Sequence, residues 1–296
     1  MDALSHALII VIIFLATGGT PSLLPFAIVG AVIIDADIVF RIISDRSPAL
    51  YIFTHGGFAH SFFGSIVMSG VATTGILLAL HAGVIPVRAL TVPLPLSFFV
   101  ILAGALIHLG IDALAYPGIP LLYPFSDRKI TAGILPGPSI FLFITTSSIL
   151  VTWVFGWVNT PLAMSVATVM IILFFGFRAV VFLVIRARQP RGRCVPLPNP
   201  LHWIIITEDE ISVAVTRYSL IGMISGHETF EKYTNTDPSE IERLRARPEI
   251  RRLKFYSYIM VAEKTGSEFI FSDPLREKGY FYYPPDFKRW VIPVIP

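Results

Sequence analysis

The stretch ALIHLGID, residues 105–112, places a histidine and an aspartate inside an apolar run that extends from about residue 93 to 115. A helix needs about 20 apolar residues to cross the hydrocarbon core of a membrane. On such a helix His108 and Asp112 project from the same face, one turn apart. Burying an ionisable side chain in a bilayer costs roughly 2.5 to 3.5 kcal/mol on insertion scales, so intramembrane groups of this kind mark candidate functional sites.

The apolar composition continues on both sides of this run. Hydrophobic residues make up 54% of the chain and charged residues 15%, and the mean hydropathy is +0.71. We predict an α-helical membrane domain of about six transmembrane helices, with the lipid bilayer as its surroundings. The apolar runs are residues 4–17, 22–43, 58–82, 93–115, 138–158 and 161–186.

The sequence pattern changes after residue 189. Residues 190–200 are rich in proline, the runs 202–207 and 211–216 have the composition of strands, and residues 238–252 read as a charged helix. We therefore predict three parts. They are a membrane domain over residues 1–189, a linker over 190–200 and a small α+β soluble domain over 201–296.

Basic residues set the predicted topology. Four arginines between residues 186 and 193 directly follow the last apolar run, which favours a cytoplasmic position for the domain after them. They also explain much of the net charge of +3, so we predict no nucleic-acid partner. Counting back through six spans makes this a multi-pass protein of the cell membrane, with the loops 41–57 and 116–137 on the cytoplasmic side and His81 on the other.

The acidic residues of the apolar part fall close to histidines. Six aspartates and no glutamate precede residue 208. Asp35 and Asp37 are two residues apart, which a regular helix would splay, so we expect the second span to end or distort there. In THGGFAHS, residues 54–61, two glycines allow a tight turn through which His55 and His60 converge.

Two pairs repeat a spacing of four residues, and both leave alternatives open. His108 and Asp112 are either metal ligands or a buried hydrogen-bonded pair. Asp2 and His6 have the same spacing, with Asp2 either a helix cap or part of the same site.

These motifs carry a resemblance to a known family. HGGFAHS, residues 55–61, resembles the His-Arg-Gly-Phe-Thr-His-Ser signature of the YdjM-type membrane-bound metal-dependent hydrolases, with Gly56 at the arginine position. IDAD, residues 34–37, resembles that family's Pro-Asp-Ile-Asp box. HLGID at 108–112, followed by YPGIPLLYP at 116–124, is similar to its His-x-x-x-Asp segment and the proline-rich run after it. The resemblance covers residues 1–136, includes His6, and implies a metal site.

The predicted site combines imidazoles and carboxylates, which suit zinc, with manganese or iron as alternatives. Asp37 is the predicted general base, and His55 is a second predicted catalytic residue. In the loop 116–137 we predict that Asp127, Arg128 and Lys129 contact the substrate; the alternative is a solvated loop whose cations follow the positive-inside rule. The predicted metal ligands are His6, Asp35, Asp37, His60, His108 and Asp112.

The predicted function is a membrane-bound metal-dependent hydrolase that acts on a phosphoester of a lipid or lipid-linked substrate. A divalent ion acidifies water and polarises a phosphoryl oxygen, and the predicted site lies where lipid headgroups are. One alternative is a metal or proton-coupled transporter, because intramembrane acids and histidines also build ion pathways. A non-catalytic membrane scaffold is the other.

Overall fold

A computed structural model of the protein describes residues 3–86, 92–221, 224–282 and 289–294, so Asp2 lies outside the described residues. The chain divides into two compact units. The first contains Met1–Ile38 and Gly56–Val180, and the second contains Val39–His55 and Val181–Pro296. A short segment between two apolar runs thus groups with the C-terminal region.

Helices account for most of the described residues before position 190. In chain order they are α1 (Ala3–Ala16), α2 (Leu24–Ile33), α3 (Arg41–Ser44), α4 (Phe62–His81), α5 (Leu94–Leu114), α6 (Ile140–Val154) and α7 (Thr160–Arg188). Short 3-10 turns precede α2 at Pro21–Leu23, follow it at Asp35–Phe40, and lead into α4 at Phe58–His60. The expected distortion of the second span at Asp35 is confirmed, because α2 ends at Ile33 and a 3-10 turn begins two residues later.

Among the described residues, four helical stretches are long and apolar enough to cross a membrane. They are Pro21–Ser44, Phe62–His81, Leu94–Leu114 and Thr160–Arg188. The apolar helices α1 and α6 have only 14 and 15 residues, so the predicted count of six spans is not confirmed. Two glycines follow α1, and α6 starts only after Pro136 and Pro138 and ends before Gly156. Prolines and glycines interrupt the helical hydrogen bonding that a longer span requires.

Helices α2 and α5 approach each other closely because each presents a glycine to the other's backbone. A Cβ atom at Gly30 would lie 1.9 Å from the carbonyl oxygen of Ile101, and one at Gly104 would lie 2.3 Å from that of Ala27. Small residues permit such close contact between helices in membranes. The contact brings the end of α2 beside the part of α5 that carries His108.

The segment between α5 and α6 folds back on the end of α5. The Ala132 amide donates to the Ala113 carbonyl at 2.7 Å, and the Ile134 amide donates to the Leu114 carbonyl at 3.0 Å. The Phe62 amide, at the start of α4, donates to the Leu121 carbonyl at 3.0 Å. The loop is therefore hydrogen-bonded to the ends of two helices.

The second unit is rich in β-sheet. Its first sheet is antiparallel, in the order β1 (Arg193–Pro196), β2 (His202–Glu208), β3 (Ser212–Ser219) and β4 (Ile224–Glu231). Its second sheet has the order β5 (Tyr233–Thr234), β6 (Val261–Thr265), β7 (Glu268–Ser272) and β8 (Trp290–Pro293). Among the described strands of this sheet, the β5–β6 pairing is parallel and the other two pairings are antiparallel.

Three short helices accompany the second sheet. They are α8 (Pro238–Leu244), α9 (Pro248–Tyr256) and α10 (Pro274–Glu277). Ile241 of α8 and Leu253 of α9 are buried against Phe269 and Phe271 of β7. In the same unit, Trp203 of β2 is buried with the end of α7.

Candidate metal centre

Six ionisable side chains of the first unit, from separate elements, lie together. One comes from the start of α1, two from the turn after α2, one from the turn before α4 and two from the end of α5. All six were predicted as metal ligands. They are His6, Asp35, Asp37, His60, His108 and Asp112.

Four donor atoms in this group converge on one point. The Nε2 atoms of His60 and His108 are 3.4 Å apart. Oδ1 of Asp35 lies 3.5 and 3.6 Å from these two nitrogens, and Oδ2 of Asp112 lies 3.5 and 3.3 Å from them. Donors around a tetrahedral ion at about 2.0–2.1 Å are separated by about 3.3–3.4 Å. All five distances are close to that separation, so the donor set fits a divalent ion.

The orientation of His108 is fixed by the backbone of α2. Its Nδ1 lies 2.6 Å from the carbonyl oxygen of Ala31. A carbonyl only accepts hydrogen bonds, so Nδ1 carries the proton and donates it. The Nε2 lone pair of a neutral His108 then faces the other three donors, which is the usual arrangement of a metal-binding histidine.

A carboxylate lies beside the corresponding nitrogen of His60. Its Nδ1 lies 3.0 Å from Oδ2 of Asp37, and that oxygen also accepts the Gly56 amide at 3.3 Å. Gly56 has a φ of +77°, a left-handed conformation that glycine adopts without strain. Asp37 therefore contacts the side of the imidazole opposite to the nitrogen that faces the donor set.

The start of α4 explains why His60 is held where it is. The Ser61 hydroxyl accepts the Gly64 amide at 2.9 Å, which caps the helix. A Cβ atom at Gly64 would lie 2.0 Å from the carbonyl oxygen of Phe58. The absence of a side chain at position 64 lets the turn Phe58–His60 fold directly against the helix.

His6 lies beside the convergent donors. Its Nε2 is 3.1 Å from Oδ1 of Asp112, and its ring stacks on that of His108 with centroids 3.6 Å apart. Asp112 thus faces His6 with one oxygen and the two other imidazoles with the other. His6, His108 and Asp112 form a second group whose potential ligand atoms lie within 4.8 Å of one another.

The site is closed on most sides. His6, Asp37, His60 and His108 have no exposed surface. Of the carboxylates that face the convergent point, the Asp35 side chain is 9% exposed and that of Asp112 is 6% exposed. The donor atoms of this centre are therefore almost completely enclosed by protein.

The part of the chain that contains this candidate centre matches a known protein family. The family described as YdjM inner membrane protein matches residues 1–185. This chain belongs to the YdjM family. The resemblance carried by the histidine and aspartate motifs is thereby confirmed, and the match extends through most of α7. No curated protein and no solved structure matches the chain.

The remaining residues singled out in the sequence of this YdjM-family protein belong to a turn, a loop and a helix end. His55 is a half-buried turn residue at the end of the segment that groups with the second unit. Asp127 and Arg128 are exposed and Lys129 is half-buried, in an extended part of the loop between α5 and α6. His81 is the last residue of α4 and is exposed, at the opposite end of that helix from His60.

A buried arginine in the first unit donates a hydrogen bond to the loop between α5 and α6. Arg178 of α7 is 1% exposed, and its Nε donates to the carbonyl oxygen of Ile134 at 2.9 Å. The last helix therefore holds the end of the loop that follows α5.

Proposed function

We propose that this YdjM-family protein is a membrane-bound metal-dependent hydrolase in which Asp35, His60, His108 and Asp112 hold a divalent ion. The observation that carries the proposal is the convergence of two imidazole nitrogens and two carboxylate oxygens at tetrahedral ligand spacing. Zinc favours this donor set and geometry, while manganese and iron share the ligands.

Charge balance supports a metal ion over a hydrogen-bonded cluster. Two carboxylates directed at one buried point repel each other unless positive charge lies between them. A proton on one imidazole supplies a single positive charge, whereas a divalent ion balances both Asp35 and Asp112. Burying the four donors together with the ion then costs far less than burying the two carboxylates without a balancing charge.

In this proposal the six residues divide into ligands and positioning residues. Asp37 keeps His60 in the tautomer that offers Nε2, and His6 fixes the second oxygen of Asp112. Such outer contacts raise the basicity of metal-binding imidazoles and hold their rings in place. The roles of Asp37 as general base and of His55 as a catalytic residue stay predictions.

The proposed substrate is a phosphoester of a lipid or lipid-linked molecule. When bound, a divalent ion acidifies water and polarises a phosphoryl oxygen. Arg128 and Lys129 are proposed to contact the phosphate, since arginine and lysine are the common phosphate-binding side chains. Asp127 stays a predicted substrate contact away from the phosphate.

The proposed setting follows from basic residues and apolar helices. Arg186 and Arg188 end α7, which favours a cytoplasmic C-terminal region. Apolar residues of α1 and α6 pack within the first unit, and we propose that these two helices complete a six-helix membrane domain. The domain boundaries at residues 189 and 200 are part of the same proposal.

A turnover screen tests the function. Purified protein loaded with zinc, manganese or iron is offered phospholipids, polyprenyl phosphates and a soluble phosphodiester. We expect turnover by the wild type and by His81→Ala, and none by His108→Ala or Asp37→Ala. If no substrate is turned over, but reconstituted vesicles transport metal or protons and the same substitutions abolish that transport, the protein is a transporter and not a hydrolase. Metal binding with neither activity would indicate a scaffold.

A further inference from the structure

The segment Val39–His55 is a loop that is flanked in the sequence by residues of the candidate site. It begins two residues after Asp37 and ends directly before Gly56. The Gly56 amide donates to the Asp37 carboxylate at 3.3 Å, which closes the base of the loop. The two residues that flank the loop are thus linked through the carboxylate that lies beside His60.

Within the second unit, a buried arginine holds the first half of this loop. Arg252 of α9 is 2% exposed. Its Nη1 donates to the carbonyl oxygen of Ser44 at 2.7 Å, and its Nη2 donates to Oδ1 of Asp45 at 3.1 Å. A buried guanidinium is costly unless it is hydrogen-bonded and paired with an anion, and here both partners come from the loop.

Two neighbours on the same helix hold the second half of the loop. The Tyr256 hydroxyl, one turn after Arg252, donates to the carbonyl oxygen of Tyr51 at 2.8 Å. Arg251 donates to the Tyr51 hydroxyl at 3.1 Å, and its guanidinium lies 5.5 Å from the centre of the Tyr51 ring. Helix α9 therefore fixes the loop at Ser44, Asp45 and Tyr51.

The donors and acceptors of these contacts belong to different parts of the sequence. The acceptors lie within residues 1–185, which the YdjM family accounts for, and the donors lie about 70 residues beyond its end. The C-terminal region thus holds a segment of the family portion at the point where it leads into the site residues.

We propose that Arg252 and Tyr256 form a clamp by which the C-terminal region fixes the loop Val39–His55, so that Asp37 and His60 keep the geometry that metal binding requires. This inference rests on the proposed metal site. Arg252 is a positioning residue in it, because it acts on the site through the loop.

The test compares four variants of the full-length protein in detergent. Arg252→Met removes both hydrogen bonds and the charge, Arg252→Lys restores the charge with fewer bonds, and Tyr256→Phe removes one hydroxyl at little risk to folding. Lys254→Met is the matched control, because Lys254 is an exposed cation on the same helix. Two quantities are measured in each. They are amide hydrogen exchange in residues 41–55 and Co²⁺ affinity from the visible absorption of the bound ion.

We expect Arg252→Met to accelerate exchange in the loop and to weaken Co²⁺ binding about tenfold, the lower end of the effect of removing an outer contact of a metal ligand. Arg252→Lys and Tyr256→Phe should fall between this variant and the wild type, and Lys254→Met should match the wild type. A purely structural arginine would alter loop exchange without changing Co²⁺ affinity.

The outcomes separate the inference from the proposed function. Faster loop exchange with unchanged Co²⁺ affinity overturns the inference and leaves the metal site standing. Unchanged exchange in both Arg252 variants and in Tyr256→Phe also overturns it. If the wild-type protein does not bind Co²⁺, the proposed metal site is wrong, and the inference that rests on it fails as well.

Discussion

Nδ1 of His108 donates to the backbone carbonyl oxygen of Ala31 at 2.6 Å, across the contact between α5 and α2. The tautomer of His108 therefore depends on the distance between the backbones of α5 and α2. That distance depends on the glycines Gly30 and Gly104, which leave room for the neighbouring carbonyls.

Gly104→Ala should therefore weaken both the fold and the metal site. The added Cβ would lie 2.3 Å from the Ala27 carbonyl oxygen, and such overpacking costs about 1–3 kcal/mol. Separating the helices also moves the Ala31 carbonyl away from His108. Thermal unfolding and metal affinity measure the two effects. Gly110→Ala, in the same helix but with nothing within 4 Å of the added atom, is the control, and equal effects of both changes would contradict the argument.

The double variant His60→Ala, Asp112→Ala should lose the metal. It removes one imidazole and one carboxylate from the four convergent donors, and the remaining two cannot define a tetrahedral site. Elemental analysis of purified protein should show metal in the wild type and in His81→Ala, and background levels in the double variant. Equal, near-zero content in all three would rule out a resident ion.

Asp37→Asn should weaken metal binding without abolishing it. The asparagine oxygen can still accept the Gly56 amide, but the negative charge that favours a proton on Nδ1 of His60 is lost. Removing an outer carboxylate of this kind typically costs tenfold to a hundredfold in affinity. A metal titration should give the wild-type stoichiometry at saturation with a higher Kd. Loss of the metal even at saturation would make Asp37 a ligand.

The single cysteine should react slowly with thiol reagents. Cys194 is 6% exposed, and burial raises the pKa of its thiol, so little of the reactive thiolate is present. Labelling of folded protein in detergent should be slow and should accelerate on denaturation. Fast labelling of the folded protein would contradict the burial of this strand against the end of α7.

Topology is better tested with introduced cysteines in a Cys194→Ser background. Phe125 is 95% exposed, Val84 is 76% exposed, and Glu210 is exposed. With a membrane-impermeant reagent, Val84→Cys should be labelled in intact cells, whereas Phe125→Cys and Glu210→Cys should require permeabilisation. The reverse pattern would place the candidate site on the outer side of the membrane.

Local spacing and residue chemistry were enough to predict the residues that meet in the candidate metal centre. The four-residue interval between His108 and Asp112 fixes a common helix face, and the interval of two between Asp35 and Asp37 predicts a break in the helix, which the 3-10 turn confirms. Neither interval reveals the partners that orient the ligands. The Ala31 carbonyl has no side-chain signature, and the pairing of Asp37 with His60 depends on how two turns pack.

Helix ends and distant contacts were harder to predict. Hydropathy alone extends the fifth apolar run over residues 138–158, but α6 covers only Ile140–Val154 because prolines and a glycine border it. The contact between Arg252 and Ser44 joins residues that are 208 positions apart. In the sequence Arg252 is one of several cations in a charged helix. The fold shows that its side chain is buried and hydrogen-bonded to the loop Val39–His55.

Gly56 has a consequence for exchanging segments between members of the YdjM family. Gly56 has a φ of +77°, and in this conformation its amide donates to Asp37. A residue with a Cβ favours a negative φ, and holding it in the left-handed conformation costs roughly 1–2 kcal/mol. The arginine of the family signature therefore cannot simply be restored here. A chimera that introduces an arginine at position 56 therefore needs a second change that supplies another hydrogen-bond donor to Asp37.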